Sequence, residues 1–236
     1  DIMTWMDFSG WEKLSLVDFD DCLTTTLFAA GCNFRCPFCH NGGLVLTNSR
    51  PAAIPWETIY GYAKKRAKEL DAVCVSGGEP TLMPDLPEKL LQIKKLGYKV
   101  KLDTNGTNPD VLSSLIEKGL VDHVAMDIKN SKEKYPLTVG LPSLDMSKIE
   151  ASISLLIHSG VSYEFRTTLI QEFHSREDIE KISFWLSGAK KYYLQMFIDS
   201  PSCICHGLHA VTKENAEEYK NILAKTMDMV ELRGYE

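Results

Sequence analysis

Leu23-Thr24-Thr25-Thr26-Leu27-Phe28-Ala29-Ala30-Gly31 runs straight into Cys32-Asn33-Phe34-Arg35-Cys36-Pro37-Phe38-Cys39-His40-Asn41. The first stretch is short, apolar, rich in β-branched residues and closed by a glycine, which predicts a buried strand ending in a loop. That loop reads Cys-x3-Cys-x2-Cys, so three thiols converge from one short segment just after a strand. Thiolate sulfur suits iron–sulfur clusters and zinc. A cubane normally takes four protein ligands, and three would leave one iron open to a ligand from outside the protein. A zinc ion closed by His40, or by Cys203, Cys205 or His206, is the competing reading of the spacing.

Downstream, strand and helix patterns alternate. Apolar residues at Trp56, Ile59, Tyr60, Ala63, Ala67 and Leu70 repeat at helical spacing and leave Lys64, Lys65, Arg66 and Lys68 for a wet face. Strands are expected over 72–76, 98–103, 121–128, 162–170 and 192–198, with helices over 86–96, 109–117, 147–157, 177–186 and 216–226. With the strand over 23–30, six strands each precede a helix. Strict alternation implies parallel strands with right-handed crossovers, in an open doubly wound sheet or a complete or partial barrel. No internal repeat and no long linker marks a second domain, so a single domain is expected. It has an irregular extension over 1–21, a barrel core over 22–199 and a C-terminal segment over 200–236 with a closing helix.

Of 236 residues, 44% are hydrophobic and 25% charged, an ordinary globular balance. A net charge of -6 argues against general affinity for nucleic acid or anionic membranes, both of which call for clustered positive charge. No apolar run approaches a membrane span, and the opening lacks the basic then apolar pattern of a signal segment, so a cytoplasmic location is expected. Seven cysteines, an odd number without an export signal, make a disulfide framework improbable.

The second strand ends in Ser76-Gly77-Gly78-Glu79-Pro80. A glycine pair lets backbone approach a ligand closely, and Glu79 suits a cationic amino group, although Gly-Gly-Glu is also a plausible turn. This turn and the cysteine loop both follow strand C-termini, the end at which α/β sheets and barrels build their sites. On the strand over 162–170, Glu164, Arg166 and Thr168 alternate with apolar residues and Thr167. The polar face belongs to an exposed edge or to a barrel lumen. Arg166 is a candidate for cofactor or substrate contact, and Gln195 on the last strand is another.

GCNFRCPFCHN (31–41), SGGEPTL (76–82), KLDTNGTN (101–108) and AMDIKN (125–130) occur in this order, flanked by EKLSLVDF (12–19) and VELRG (230–234). On these motifs the chain resembles the radical S-adenosylmethionine (SAM) proteins over nearly its whole length. It is most similar to the activating enzymes of glycyl radical enzymes, in particular the activating component of anaerobic ribonucleotide reductase. The resemblance implies a partial (β/α)6 TIM-type barrel and a [4Fe-4S] cluster on Cys32, Cys36 and Cys39. It implies that Gly77, Gly78 and Glu79 bind the methionyl amino group of S-adenosylmethionine, and that Phe38 belongs to the cofactor site. Asp103 and Thr104 match positions that line that site and, in the pyruvate formate-lyase activases, help hold a monovalent cation. Asp127 and Lys129, two apart on one strand face, suit a ribose hydroxyl and a carboxylate.

The implied reaction is reductive cleavage of S-adenosylmethionine to a 5′-deoxyadenosyl radical, which takes the α-hydrogen of a glycine in a partner enzyme. The electron would come from flavodoxin or ferredoxin. A radical enzyme acting on a small molecule or peptide is the alternative within the same class. A non-catalytic zinc or electron-transfer protein is the alternative outside it.

Overall fold

Phe8–Ser15, expected to be irregular, is a strand, β1, in the computed structural model, which describes residues 7–46, 48 and 50–235. It runs antiparallel to β2 (Thr24–Ala29), with register shifts after Phe8 and after Glu12. Those irregularities, the interior Gly10 and the charged Glu12 and Lys13 erase the period-two pattern that would have marked it. Side chains hold it instead: Trp11 Nε1 donates to Thr25 Oγ1 at 2.8 Å, and its ring meets Tyr62 edge-on at 5.0 Å. Residues 16–21 are bends and turns, as expected, and residues 1–6 lie outside the described residues.

Two compact units divide the chain. The first comprises Asp1–Asn33 and Asn41–Ala125, the second Phe34–His40 and Met126–Glu236. In the first, β2 is parallel to β3 (Ala72–Gly77), which is parallel to β4 (Lys99–Thr104). The connections carry the short α1 (Gly42–Val45), α2 (Trp56–Arg66), α3 (Leu86–Lys95) and α4 (Pro109–Glu117). Strand β5 (His123–Asp127) spans the division and follows β4 in the sheet order. Val73, Cys74, Val75, Val100 and Leu102 are all buried, as strands covered on both faces require.

In the second unit the order is β5, β6 (Ser162–Leu169), β7 (Tyr192–Met196) and β8 (Val230–Arg233), with β6, β7 and β8 parallel. Its helices are α5 (Tyr135–Thr138), α6 (Met146–His158), α7 (Arg176–Trp185) and α8 (Lys213–Leu223). A capping box of Ser175 and Asp178 starts α7, and Thr212 caps α8. The six expected strands are β2 to β7. Helix α8 does not close the chain, because β8 follows it. Four residues ending in Glu-Leu-Arg are too few and too polar to announce a strand, yet they pair along β7 from Tyr192↔Val230 to Gln195↔Arg233.

Candidate functional site

Of the three loop cysteines, Cys32 belongs to the first unit, and Cys36 and Cys39 belong to the second. None of the seven cysteines is in a disulfide. In the first unit the start of the loop is locked to the turn after β3 by backbone bonds: Gly78 N–H donates to Ala29 O at 2.8 Å and Glu79 N–H to Gly31 O at 2.9 Å. Asn41 Nδ2 adds a bond to Gly77 O at 2.8 Å. The two glycines are therefore required by the chain's own backbone. A β-carbon on Gly77 would lie 2.5 Å from Ala29 N, and one on Gly78 would lie 1.9 Å from Gly31 O.

Glu79, expected to meet the cofactor's amino group, has partners within the chain. It is fully buried, and its oxygens accept from Thr81 N–H (3.2 Å), the Thr81 hydroxyl, Thr104 Oγ1 (2.7 Å) and Asn105 N–H (2.6 Å). The carboxylate staples the end of β3 to the end of β4, and the Thr104 hydroxyl is spent on it. Asp103 accepts from Ser76 Oγ at 2.9 Å and lies 3.7 Å from Lys101 Nζ.

Burial pushes the Glu79 carboxyl above its ordinary range, against the opposing pull of its four hydrogen bonds. A carboxyl raised on folding contributes stability that is complete below the ordinary carboxylate range and is lost as pH rises through the folded-state value. Glu79→Gln removes the titration. The melting temperature of the parent chain is expected to fall relative to that of the variant as pH rises from the acid side towards neutrality. Thermal melts of both proteins across that range would refute the upward shift of this carboxyl if the difference stayed constant.

Asn105, which the sequence reading passed over, orders the surroundings of Cys32. Its Nδ2 donates to Asn33 Oδ1 at 2.8 Å and lies 3.8 Å from Cys32 Sγ; its Oδ1 accepts from Thr107 N–H and Thr107 Oγ1. Asn33 Nδ2 closes the ring onto Thr107 Oγ1 at 2.9 Å. An amide N–H directed at sulfur favours the thiolate, the form in which cysteine ligates metal.

In the second unit, Asp127, at the end of β5, accepts from Lys129 Nζ at 2.9 Å and from Arg166 Nε at 3.0 Å. Burial raises its carboxyl, but the two cations outweigh that and hold it at about 2. Burial likewise opposes the charge on Lys129, while Asp127 and then Cys36 raise its pKa, so the lysine stays charged. Asp127 and Lys129 thus share a face, as the spacing implied, but pair with each other. Lys129 Nζ also lies 5.9 Å from the centre of the buried Phe38 ring. On β6 and β7, Arg166 is level with Tyr193, and Thr168 with Gln195. β8 adds Arg233, whose guanidinium donates to the buried Glu164 at 3.0 Å and stacks on Tyr193 at 3.3 Å. Arg233 escaped the sequence reading because its strand did.

Residues 34–40 are seated within this unit on two supports. Arg35 N–H donates to Val139 O at 2.9 Å, and the Phe34 ring meets Tyr135 at 6.5 Å. From the other side, Cys205 N–H donates to Pro37 O at 2.8 Å, and Cys203 Sγ lies 4.0 Å from Phe38 O. His40 stacks on Phe197, with Nε2 2.7 Å from Ile198 O, and His206 pairs with Asp199 at 2.9 Å. His40 and His206 thus have partners of their own. Among the described residues, no group of three His, Cys, Asp or Glu side chains could hold a single metal ion. Three thiols in one loop are soft donors of the kind that suits an iron–sulfur cluster, and within the second unit the half-buried Lys129 lies close enough to Cys36 to feel its charge.

The family model of the radical SAM superfamily matches residues 26–186. A protein of Methanocaldococcus jannaschii, whose name assigns it provisionally to the glycyl-radical enzyme activating enzymes, is 35% identical over 193 residues, covering 80% of this chain and 79% of its own. Among solved structures, a domain of pyruvate-formate lyase-activating enzyme from Bacteroides vulgatus superposes with a TM-score of 0.57 at 17% identity, over 70% of this chain and 99% of that one. Streptococcus suis SuiB bound to S-adenosylmethionine gives 0.68 at 13% identity, over 86% of this chain and 48% of that one. At these identities the structures establish the fold, a mostly parallel α/β sheet consistent with a partial TIM-type barrel. The chain belongs to the radical SAM superfamily, enzymes whose oxidoreductase-type radical chemistry uses a [4Fe-4S] cluster and S-adenosylmethionine.

Proposed function

We propose that this chain, acting as one catalytic domain in the cytoplasm, activates a glycyl radical enzyme, and that its partner is an anaerobic ribonucleotide reductase. The observation that carries the reading is the half-buried Asp127–Lys129–Arg166 group beside the loop that bears Cys36 and Cys39. It supplies fixed charge of both signs next to the proposed cluster ligands. When bound, the cluster and S-adenosylmethionine supply the one-electron chemistry that yields a 5′-deoxyadenosyl radical.

Cys32, Cys36 and Cys39 would hold the cluster, three thiolates where a cubane normally takes four ligands from protein. Gly77 and Gly78 bring backbone close to the methionyl end, and Glu79 keeps that turn in place. Lys129 and Arg166 attract the anionic end, Asp127 takes a ribose hydroxyl, and Phe38 supplies an apolar wall that excludes water. Asp103, Thr104 and Gln195 would also contact the cofactor, and flavodoxin or ferredoxin would deliver the electron. No side chain is required as a catalytic acid or base.

Arg166→Met leaves Asp127 with one cation instead of two. Its carboxyl is expected to rise from about 2, and S-adenosylmethionine affinity to fall about ten-fold, the equivalent of one charge-assisted hydrogen bond. Equilibrium binding to the loaded protein measures this. For the reaction itself, the chain is reconstituted anaerobically with iron and sulfide, reduced with dithionite and assayed for 5′-deoxyadenosine. A fully loaded protein that releases none would defeat the radical reading. With a candidate reductase present, a glycyl radical signal is expected, and an α-deuterated glycine should pass its label to 5′-deoxyadenosine.

A further inference from the structure

Beyond Asp127, β5 gives way to irregular chain, where backbone carbonyls must find side chains or water as partners. Here three in a row are capped by side chains from three different places. Tyr135 Oη donates to Asp127 O at 3.2 Å, Thr167 Oγ1 to Ile128 O at 2.6 Å, and the imidazole of His174 contacts Lys129 O through Nε2 at 2.8 Å. All three capping residues are buried. A carbonyl only accepts, so Nε2 carries the proton. Nδ1 is then unprotonated and accepts from Ile170 N–H at 3.0 Å. Ile170 O also lies 3.2 Å from Nδ1, but the shorter contact with Ile170 N–H, together with burial that disfavours a charged ring, assigns the neutral Nε2–H tautomer to His174. The caps are themselves anchored: Tyr192 Oη lies 2.6 Å from Thr167 Oγ1 and serves as its donor, and Tyr219 Oη donates to His174 O at 3.4 Å.

From this geometry we infer that Tyr135, Thr167 and His174 are positioning residues, which fix the peptide units of 127–129 and so aim the Asp127 and Lys129 side chains at the cofactor. The inference rests on the proposed role of that pair in binding S-adenosylmethionine. Neither side chain could hold its direction if the peptides beneath it turned. Each cap opposes one such rotation, because a carbonyl that swings away from a buried donor breaks a hydrogen bond on both sides. The ordering cost is met on folding and is not charged against cofactor binding. His174 is the most informative of the three, since it joins the segment after β6 to the residue whose ammonium is to be placed.

The test compares His174→Phe, which keeps a ring but leaves Lys129 O uncapped, with His174→Gln, whose side-chain amide can reach the same carbonyl. S-adenosylmethionine binding to the reconstituted protein is measured with iron content. The expected result is about a ten-fold weaker Kd for His174→Phe, recovery to within about three-fold in His174→Gln, and unchanged iron in both. On the protein without cluster, imidazole nitrogen NMR should show the Nε2–H tautomer. Lys129→Met separates the two readings. If it weakens binding while His174→Phe only lowers the melting temperature, the positioning role is wrong and the site reading survives. If Lys129→Met leaves binding intact, the site reading fails first. The Nδ1–H tautomer would overturn the capping scheme outright.

Discussion

Alanine at any one of Cys32, Cys36 or Cys39 is expected to reduce 5′-deoxyadenosine formation to that of a preparation without iron. Three protein sulfurs are the minimum that can hold the proposed cubane with one iron exposed, and removing one leaves two, with no neighbouring thiol seated to replace it. Cys203 is buried with its sulfur directed at Phe38 O and Ile198 O, and Cys205, although exposed, contributes a backbone bond to Pro37. Cys205→Ala should therefore retain full iron and full cleavage. Iron and acid-labile sulfide per chain, measured beside cleavage, decide the matter. If Cys205→Ala lost iron as completely as Cys36→Ala, the ligand set would be wrong.

Gly78→Ala is expected to destabilise the fold by about 3 kcal/mol or more, the range reserved for substitutions that force backbone to move. Its β-carbon would stand 1.9 Å from Gly31 O and 2.6 Å from Gly31 C. Both are main-chain atoms, so no rotamer change relieves the overlap. Gly31 cannot retreat without losing the Glu79 N–H bond to its carbonyl. For a chain of this size the melting temperature should drop by roughly 10 °C. Gly61→Ala is the matched control. It lies in α2 with nothing within 4 Å of the added carbon, and should raise stability by about 0.5 to 1 kcal/mol. Equal effects of the two substitutions would refute the close approach of the two turns.

The chemistry was legible in the sequence because it is local. Cys-x3-Cys-x2-Cys occupies one loop, Gly77 to Glu79 one turn, and Asp127 and Lys129 are two residues apart, so their spacing needs no tertiary contact to read. Strands β2 to β7 were legible for a related reason: they are buried, apolar runs at regular intervals, and burial on both faces leaves its mark on composition. The flanking strands β1 and β8 were not, since irregular register in one and brevity in the other leave pairing to be set by the neighbours.

Tertiary structure alone decided what each polar group does. Composition marks Glu79 as a charged residue in a turn; only the approach of Thr81, Thr104 and Asn105 turns it into an internal staple. Asn105, Thr167 and His174 drew no notice in the sequence because the partners that give them these roles lie 25 to 73 positions away. Sequence by itself determined which elements can donate sulfur, charge and backbone to the site. Folding determined which donor meets which acceptor, because a hydrogen bond requires a few tenths of an ångström of placement that no residue order encodes locally.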